Sequence, residues 1–97
     1  MSETFEIGAR VAWESQSASH STRKTGQVLA VVPPEQTVEG ALLVVGKNLE
    51  DFALRTTAFG MSRRHESYLV AVPPKSPRGR PTLYWPRVSH LRRKGTP

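Results

Sequence analysis

Two runs, VLAVVPP at Val28–Pro34 and YLVAVPP at Tyr68–Pro74, constrain the fold of this chain more than any other feature. Each is apolar at consecutive positions and rich in branched side chains, the wording of a strand buried on both faces. Each stops at a proline pair, whose nitrogens cannot donate to a sheet ladder. The runs agree at four of seven positions, but the flanking TGQ and HES, and EQT and KSP, do not match. They therefore read as two neighbouring core strands rather than a duplicated unit. By simple alternation Val28, Ala30 and Val32 face one way and Leu29 and Val31 the other, while Tyr68, Val70 and Val72 oppose Leu69 and Ala71. A chain of 97 residues forms one domain with a modest core, so a sheet apolar on both faces needs a cover on its outside. Leu42, Leu43, Leu49 and Phe52 supply that cover from within the chain, the favoured reading. A second copy in a homodimer, or a docked partner, is the other.

Two more segments read as strands. In IGARVAW (Ile7–Trp13), Ile7, Ala9, Val11 and Trp13 alternate with Arg10, a half-buried pattern. TLYWPRVSHL (Thr82–Leu91) starts as an aromatic strand, meets Pro86 and resumes with Val88 and Leu91, so it is an edge strand or breaks at the proline. Between strands, Glu14–Thr25 is polar and serine-rich and reads as a mobile hairpin loop, and Lys75–Pro81 as a cationic turn. Glu35–Glu66 is too long for a featureless loop. Asn48 followed by Asp51 predicts an N-cap and a turn or two of helix over Asn48–Arg55, with Ala41–Val45 an extra strand or the apolar approach to it. Beyond Leu91 the tail is expected to fray.

Charge separates the two halves. Residues 1–50 carry four Lys/Arg against six glutamates, whereas residues 51–97 carry ten against Asp51 and Glu66. A cationic half is the footprint of a partner that is nucleic acid or an acidic protein surface. No apolar run approaches the length of a membrane span, and Met1–Arg10 has two glutamates and no apolar core of a secretory signal. The absence of cysteine excludes disulfides, thiolate metal sites and cysteine nucleophiles, and fits a cytoplasmic protein.

The order of strand, polar loop, TGQVLAVV, long excursion, strand, tight turn and a strand leading to VSHLR resembles a small SH3-like barrel of the KOW and Tudor type. Gly8 with Val11, Gly26 with Val28, and Leu91 with Arg92 carry the likeness. The resemblance implies an all-β domain over residues 1–92, four or five strands, a helical or mixed insertion at 35–65 between the second and third core strands, and a flexible tail at 93–97. The wording G-x-R-V-x-W-x-S-Q, H-E-S-Y-L-V and L-Y-W-P-R-V is also similar to a group of short bacterial proteins, a likeness that implies a fold and no activity. Type II dihydrofolate reductases share an initial G-x-R-V strand and an aromatic-Pro-Val ending. Their Val-Gln-Ile-Tyr stretch is Thr82–Trp85 here, without the glutamine, so no catalytic residue is carried over.

Catalytic and metal patterns do not assemble. STRKTG (Ser21–Gly26) superimposes a Ser-x-x-Lys on a Lys-Thr-Gly, two motifs that sit far apart where they act, and it lacks the glycine of a phosphate-binding loop. His20, His65 and His90 fall on separate segments without metal-ligand spacing, and His65 beside Glu66 and Ser67 has no nucleophile elbow. A non-enzymatic chain without cofactor or metal is expected. The remaining signal is aromatic and basic: Trp13, Tyr68, Tyr84 and Trp85 on strands, with Arg63, Arg64, Arg78, Arg80, Arg87, Arg92 and Arg93 at strand ends and turns. Alternation assigns Tyr68 and Tyr84 to the outside and Trp13 and Trp85 to the inside. The expected function is binding of nucleic acid, DNA or RNA, or of a nucleic-acid-handling complex, through those arginines with Tyr68 and Tyr84 adding stacked contacts. The alternative is a protein-interaction or inhibitor module of the mobile-element type that docks on an acidic or nucleic-acid-binding host surface.

Overall fold

The computed structural model describes residues 4–17, 20–54, 62–74 and 76–94. Its strands are β1 (Arg10–Ser17), β2 (His20–Val32), β3 (Ala53–Leu54), β4 (Ser67–Val72), β5 (Thr82–Tyr84) and β6 (Arg92–Arg93), with helix α1 (Val38–Val44) between β2 and β3. Single 3₁₀ turns lie at Leu49–Asp51 and Val88–His90. The strands form one sheet in the order β3-β5-β4-β2-β1-β6, antiparallel except for β3 against β5. The protein is thus mostly β, with six strands rather than four or five, because β3 and β6 add two residues each. Among the described residues the ladder is open, ending at β3 and β6. No helix of the described residues is long and apolar enough to cross a membrane.

β2 organises the sheet by changing partner along its 13 residues: His20–Gln27 pairs with β1, and Gln27–Val32 with β4. At the exchange stands Gly26, where an added Cβ would lie 2.7 Å from both the Ala71 carbonyl oxygen and Val70 Cγ1. Only glycine lets the two backbones approach that closely. Just beyond, the register slips between Val28 and Ala30, leaving Leu29 as a bulge. The bulge corrects the simple alternation: Val28 shares a face with Val70, whereas Ala30 shares the other with Leu69.

Both faces of the sheet are covered from within the chain around β4 and the second half of β2. On one, Ala30, Val32, Leu69, Leu83 and Trp85 pack beneath Val38, Ala41 and Leu42 of α1 and Phe52, with Leu49 at the margin. On the other, Val11, Trp13, Val28, Tyr68 and Val70 close against Phe5, Ala9 and Leu91. The insertion therefore covers one face as expected, except that Leu43 turns outward, 65% exposed. The second cover, Phe5 with Leu91, was not foreseen. The indole N–H of Trp85 donates to Ser67 Oγ at 2.9 Å, which satisfies the fully buried hydroxyl.

Several boundaries differ from the sequence expectation, each for a local reason. β1 starts at Arg10 rather than Ile7, because Gly8 is left-handed (φ 91°) in a turn closed by Ala9 N–H to Glu6 O, and Ile7 is 57% exposed. The polar segment expected to be a loop continues the strands, pairing from Glu14↔Arg23 to Ser17↔His20. The helix lies at Val38–Val44, not Asn48–Arg55: Thr37 Oγ1 caps it by accepting from Gly40 N–H, and Gly46 (φ 75°) ends it. Gly46 and Lys47 N–H return to the carbonyls of Leu43 and Leu42, the double closure that a left-handed glycine permits. Asn48–Asp51 does form its cap, Asn48 N–H to Asp51 Oδ2 at 2.9 Å, but supports only the 3₁₀ turn. Arg55 lies outside the described residues. Pro86 ends β5, and the chain re-enters the sheet as β6 at Arg92–Arg93, within the stretch expected to fray, where Lys94 N–H also donates to Arg10 O.

Candidate nucleic-acid interface

The outward face of β2, β1 and β6 gathers cations that are distant in sequence. Val11 and Trp13 point into the core, so Arg10, Ala12 and Glu14 point away from it. Cross-strand partners share a face, which adds Gln27, Thr25 and Arg23 from β2 and Arg92 from β6. Lys94 follows Arg92 by two residues and takes the same side. Arg10, Arg23, Arg92 and Lys94 thus share this face with one carboxylate, Glu14, directly opposite Arg23.

Where β6 stops, the face opens into a cleft of about 490 Å³ lined by Ala12, Trp13, Glu14, Arg23, Ser89, His90 and Arg92. Ala12 keeps the floor low. The 3₁₀ turn Val88–His90 brings Ser89 and His90 to the wall, because Pro86 has ended β5 and the chain must turn back toward β1. Two guanidinium groups, an imidazole and a hydroxyl converge there, a donor set suited to an anion such as a phosphodiester. Among the described residues no three metal-ligand side chains come together.

On the inward side of the same strands, Tyr84 packs edge-on against Trp13, with ring centres 5.3 Å apart and Lys24 Nζ 5.2 Å above the tyrosine. Tyr84 is half-buried. Tyr68 is not outside as expected: it is 1% exposed, its ring edge-on to Phe5. Its hydroxyl donates to Glu66 Oε1 at 2.8 Å and accepts from Phe5 N–H at 3.2 Å. Its neighbour Ser67 also faces a core, since this strand is covered on both sides. Burial first, then the bond to the Glu66 carboxylate, push the phenol above its ordinary range, against the Phe5 N–H, which lowers it. Trp13 and Trp85 are buried as expected, although on opposite faces.

Of the predicted arginines, Arg92 enters the cleft. Arg63 is spent on structure: its guanidinium lies 3.9 Å over Trp85 and donates to the carbonyls of Trp85 (2.8 Å) and Pro86 (3.0 Å). Burial, and then the charge of Arg87, lower its pKa. Arg93 faces the other way from Arg92, paired with Glu6 at 3.0 Å and donating to Thr4 O. Arg80 holds Glu50 O at 2.9 Å, and Arg78 sits in the turn at Ser76–Gly79, both next to the β3–β5 end of the sheet. Arg64 and Arg87 are exposed. The cleft residues that sequence reasoning passed over are Arg23, Ser89 and His90, together with Arg10 and Lys94 on the same face. Strand alternation carried into the serine-rich segment would have found Arg23.

The chain matches no family model, no curated protein and no solved structure.

Proposed function

We propose that this protein is a non-enzymatic module that binds nucleic acid through the outward face of β2, β1 and β6, on a fold of SH3-like type. The fold reading is supported by the antiparallel succession β1-β2-β4-β5 and by a 3₁₀ turn that leads β6 back to β1, with α1 and β3 as the insertion. The observation that carries the function is the convergence of Arg23, His90 and Arg92 on the cleft, with Arg10 and Lys94 on the same face. No exposed aromatic accompanies them among the described residues, so contacts are to phosphate rather than to stacked bases. The net charge of +6 adds long-range attraction.

The test is anisotropy with a labelled oligonucleotide at several salt concentrations. Engagement of four phosphates predicts a log–log slope of about −3.6, hence an affinity loss on the order of 10²-fold between about 50 and 200 mM salt. Absence of binding at the lower salt would overturn the reading. So would a stoichiometric protein partner that survives nuclease treatment and covers this face, which is what the inhibitor alternative requires.

A further inference from the structure

We infer that the cleft between β1 and the 3₁₀ turn at Val88–His90 takes a terminal phosphomonoester, so that the protein holds the phosphorylated end of a nucleic-acid strand. This rests on the nucleic-acid reading above and adds which part of the strand the site grips. The cations of the face are not evenly spread. Arg23, His90 and Arg92, with the Ser89 hydroxyl, line one cleft of about 490 Å³. Arg10 and Lys94 share the face but lie outside that lining. Arg92 stands opposite Ala12, and Lys94 N–H donates to Arg10 O, so this second pair of cations lies one two-residue step along the ladder. That step is about 7 Å.

The concentrated end suits a dianion. Each guanidinium offers its N–H donors in a fixed fork, and the imidazole and hydroxyl add theirs. Among the described lining residues Glu14 is the one carboxylate, opposite Arg23 in the ladder, which leaves the cleft net positive. An internal phosphodiester brings a single negative charge to such a set. A phosphomonoester brings a charge of about −1.5 to −2 near pH 7 and three strong acceptor oxygens. It can therefore answer both forks at once, in the bidentate pairing that makes such contacts strong. The position of the cleft points the same way. The ladder of β6 with β1 stops at Arg92, and the preceding residues leave it as the 3₁₀ turn. Ser89 and His90 stand at that end of the row formed by Lys94 and Arg92. A strand lying over Lys94 and Arg10 thus brings its terminal phosphate to the cleft.

The experiment measures anisotropy of one internally labelled oligonucleotide in three forms: 5′-phosphorylated, 3′-phosphorylated, and hydroxyl at both ends. At least one phosphorylated form is expected to bind about 10-fold or more tightly than the hydroxyl form at about 50 mM salt. Arg23→Gln with Arg92→Gln should bring that ratio below about 2-fold. Arg64→Gln with Arg78→Gln, which removes the same charge outside the cleft, should leave the ratio as it was. Thermal unfolding verifies the fold of each variant, and His90→Ala provides a second route to a lowered ratio should the cleft pair not fold. Adenosine 5′-monophosphate as competitor distinguishes a strand end from a free nucleotide. It is expected to displace the oligonucleotide only at about 100-fold higher concentration, since it lacks the phosphates that reach Arg10 and Lys94. Displacement at matching concentration, or an equal fall of the ratio in both double variants, would overturn the inference. Equal binding of the three forms would overturn it while leaving nucleic-acid binding intact. Failure to bind any form at about 50 mM salt would overturn both.

Discussion

The side-chain hydrogen of Gly26 is what allows β2 to exchange partners, and its replacement tests that geometry directly. Gly26→Ala places a methyl 2.7 Å from a backbone carbonyl oxygen, where neither strand has a flexible end to yield. A cost of about 1–3 kcal/mol in urea unfolding is expected, the range of overpacked interiors. Arg63 gives a second residue-scale test. Arg63→Lys keeps the charge but not the planar fork that reaches two carbonyls while lying on Trp85, so a loss of about 1.5–3 kcal/mol is expected. Nucleic-acid affinity should change little, because that guanidinium is already committed. Tyr68 adds a pH dependence. Its folded-state pKa lies above the unfolded value, so its contribution is complete at neutral pH. As pH rises past about 10 the unfolded chain releases the phenolic proton first, and stability falls. Tyr68→Phe should remove that alkaline slope in the unfolding midpoint; an unchanged slope would show that the phenol is not the group responsible.

At the scale of elements, the readable parts were those where one physical signal dominated. β4 takes in the whole apolar run Tyr68–Val72 with Ser67 before it, since continuous apolar wording between polar residues and a proline pair leaves no other choice. The helix was hidden because Val38, Val44 and Val45 are β-branched and favour strand, while the neighbouring Asn48–Asp51 offered a more conventional cap. Its own signals were present in Thr37 and Gly46, and burial of Leu42 against the sheet decided the matter. The extension of β1 and β2 through Glu14–Arg23 is illegible in the sequence for the opposite reason. Apolar alternation marks a strand only when one face is covered, and a strand held by backbone pairing alone carries no such mark. The cleft went unseen with it, since Arg23 joins Arg92 only when Ser21–Thr25 is extended. The covering role of α1 has a clean test on adjacent residues. Leu42→Ala removes a fully buried side chain and should cost about 2–5 kcal/mol, whereas Leu43→Ala, on the exposed side, should stay within about 0.5 kcal/mol. Equal effects would mean that the helix is not seated as described.

For the whole molecule, the asymmetry of charge in the sequence becomes an asymmetry of commitment in the fold. The basic second half supplies most of the cations, yet Arg63, Arg80 and Arg93 are engaged with carbonyls or with Glu6, and the face that gathers free donors borrows Arg10 and Arg23 from the acidic first half. Net charge alone would therefore not point to the proposed interface. If +6 acted only as a diffuse field, reversing any two exposed arginines would weaken binding alike. If the β2–β1–β6 face makes the contacts, Arg23→Glu with Arg92→Glu should lower the magnitude of the salt slope by about 2 and weaken binding at every salt concentration. Arg64→Glu with Arg78→Glu changes the net charge by the same amount and should leave the slope near its original value, apart from a small uniform loss. Both pairs are exposed, so thermal stability should differ little between them and the parent protein. Equal slopes in the two double variants would assign the attraction to the field of the whole molecule and remove the case for this face.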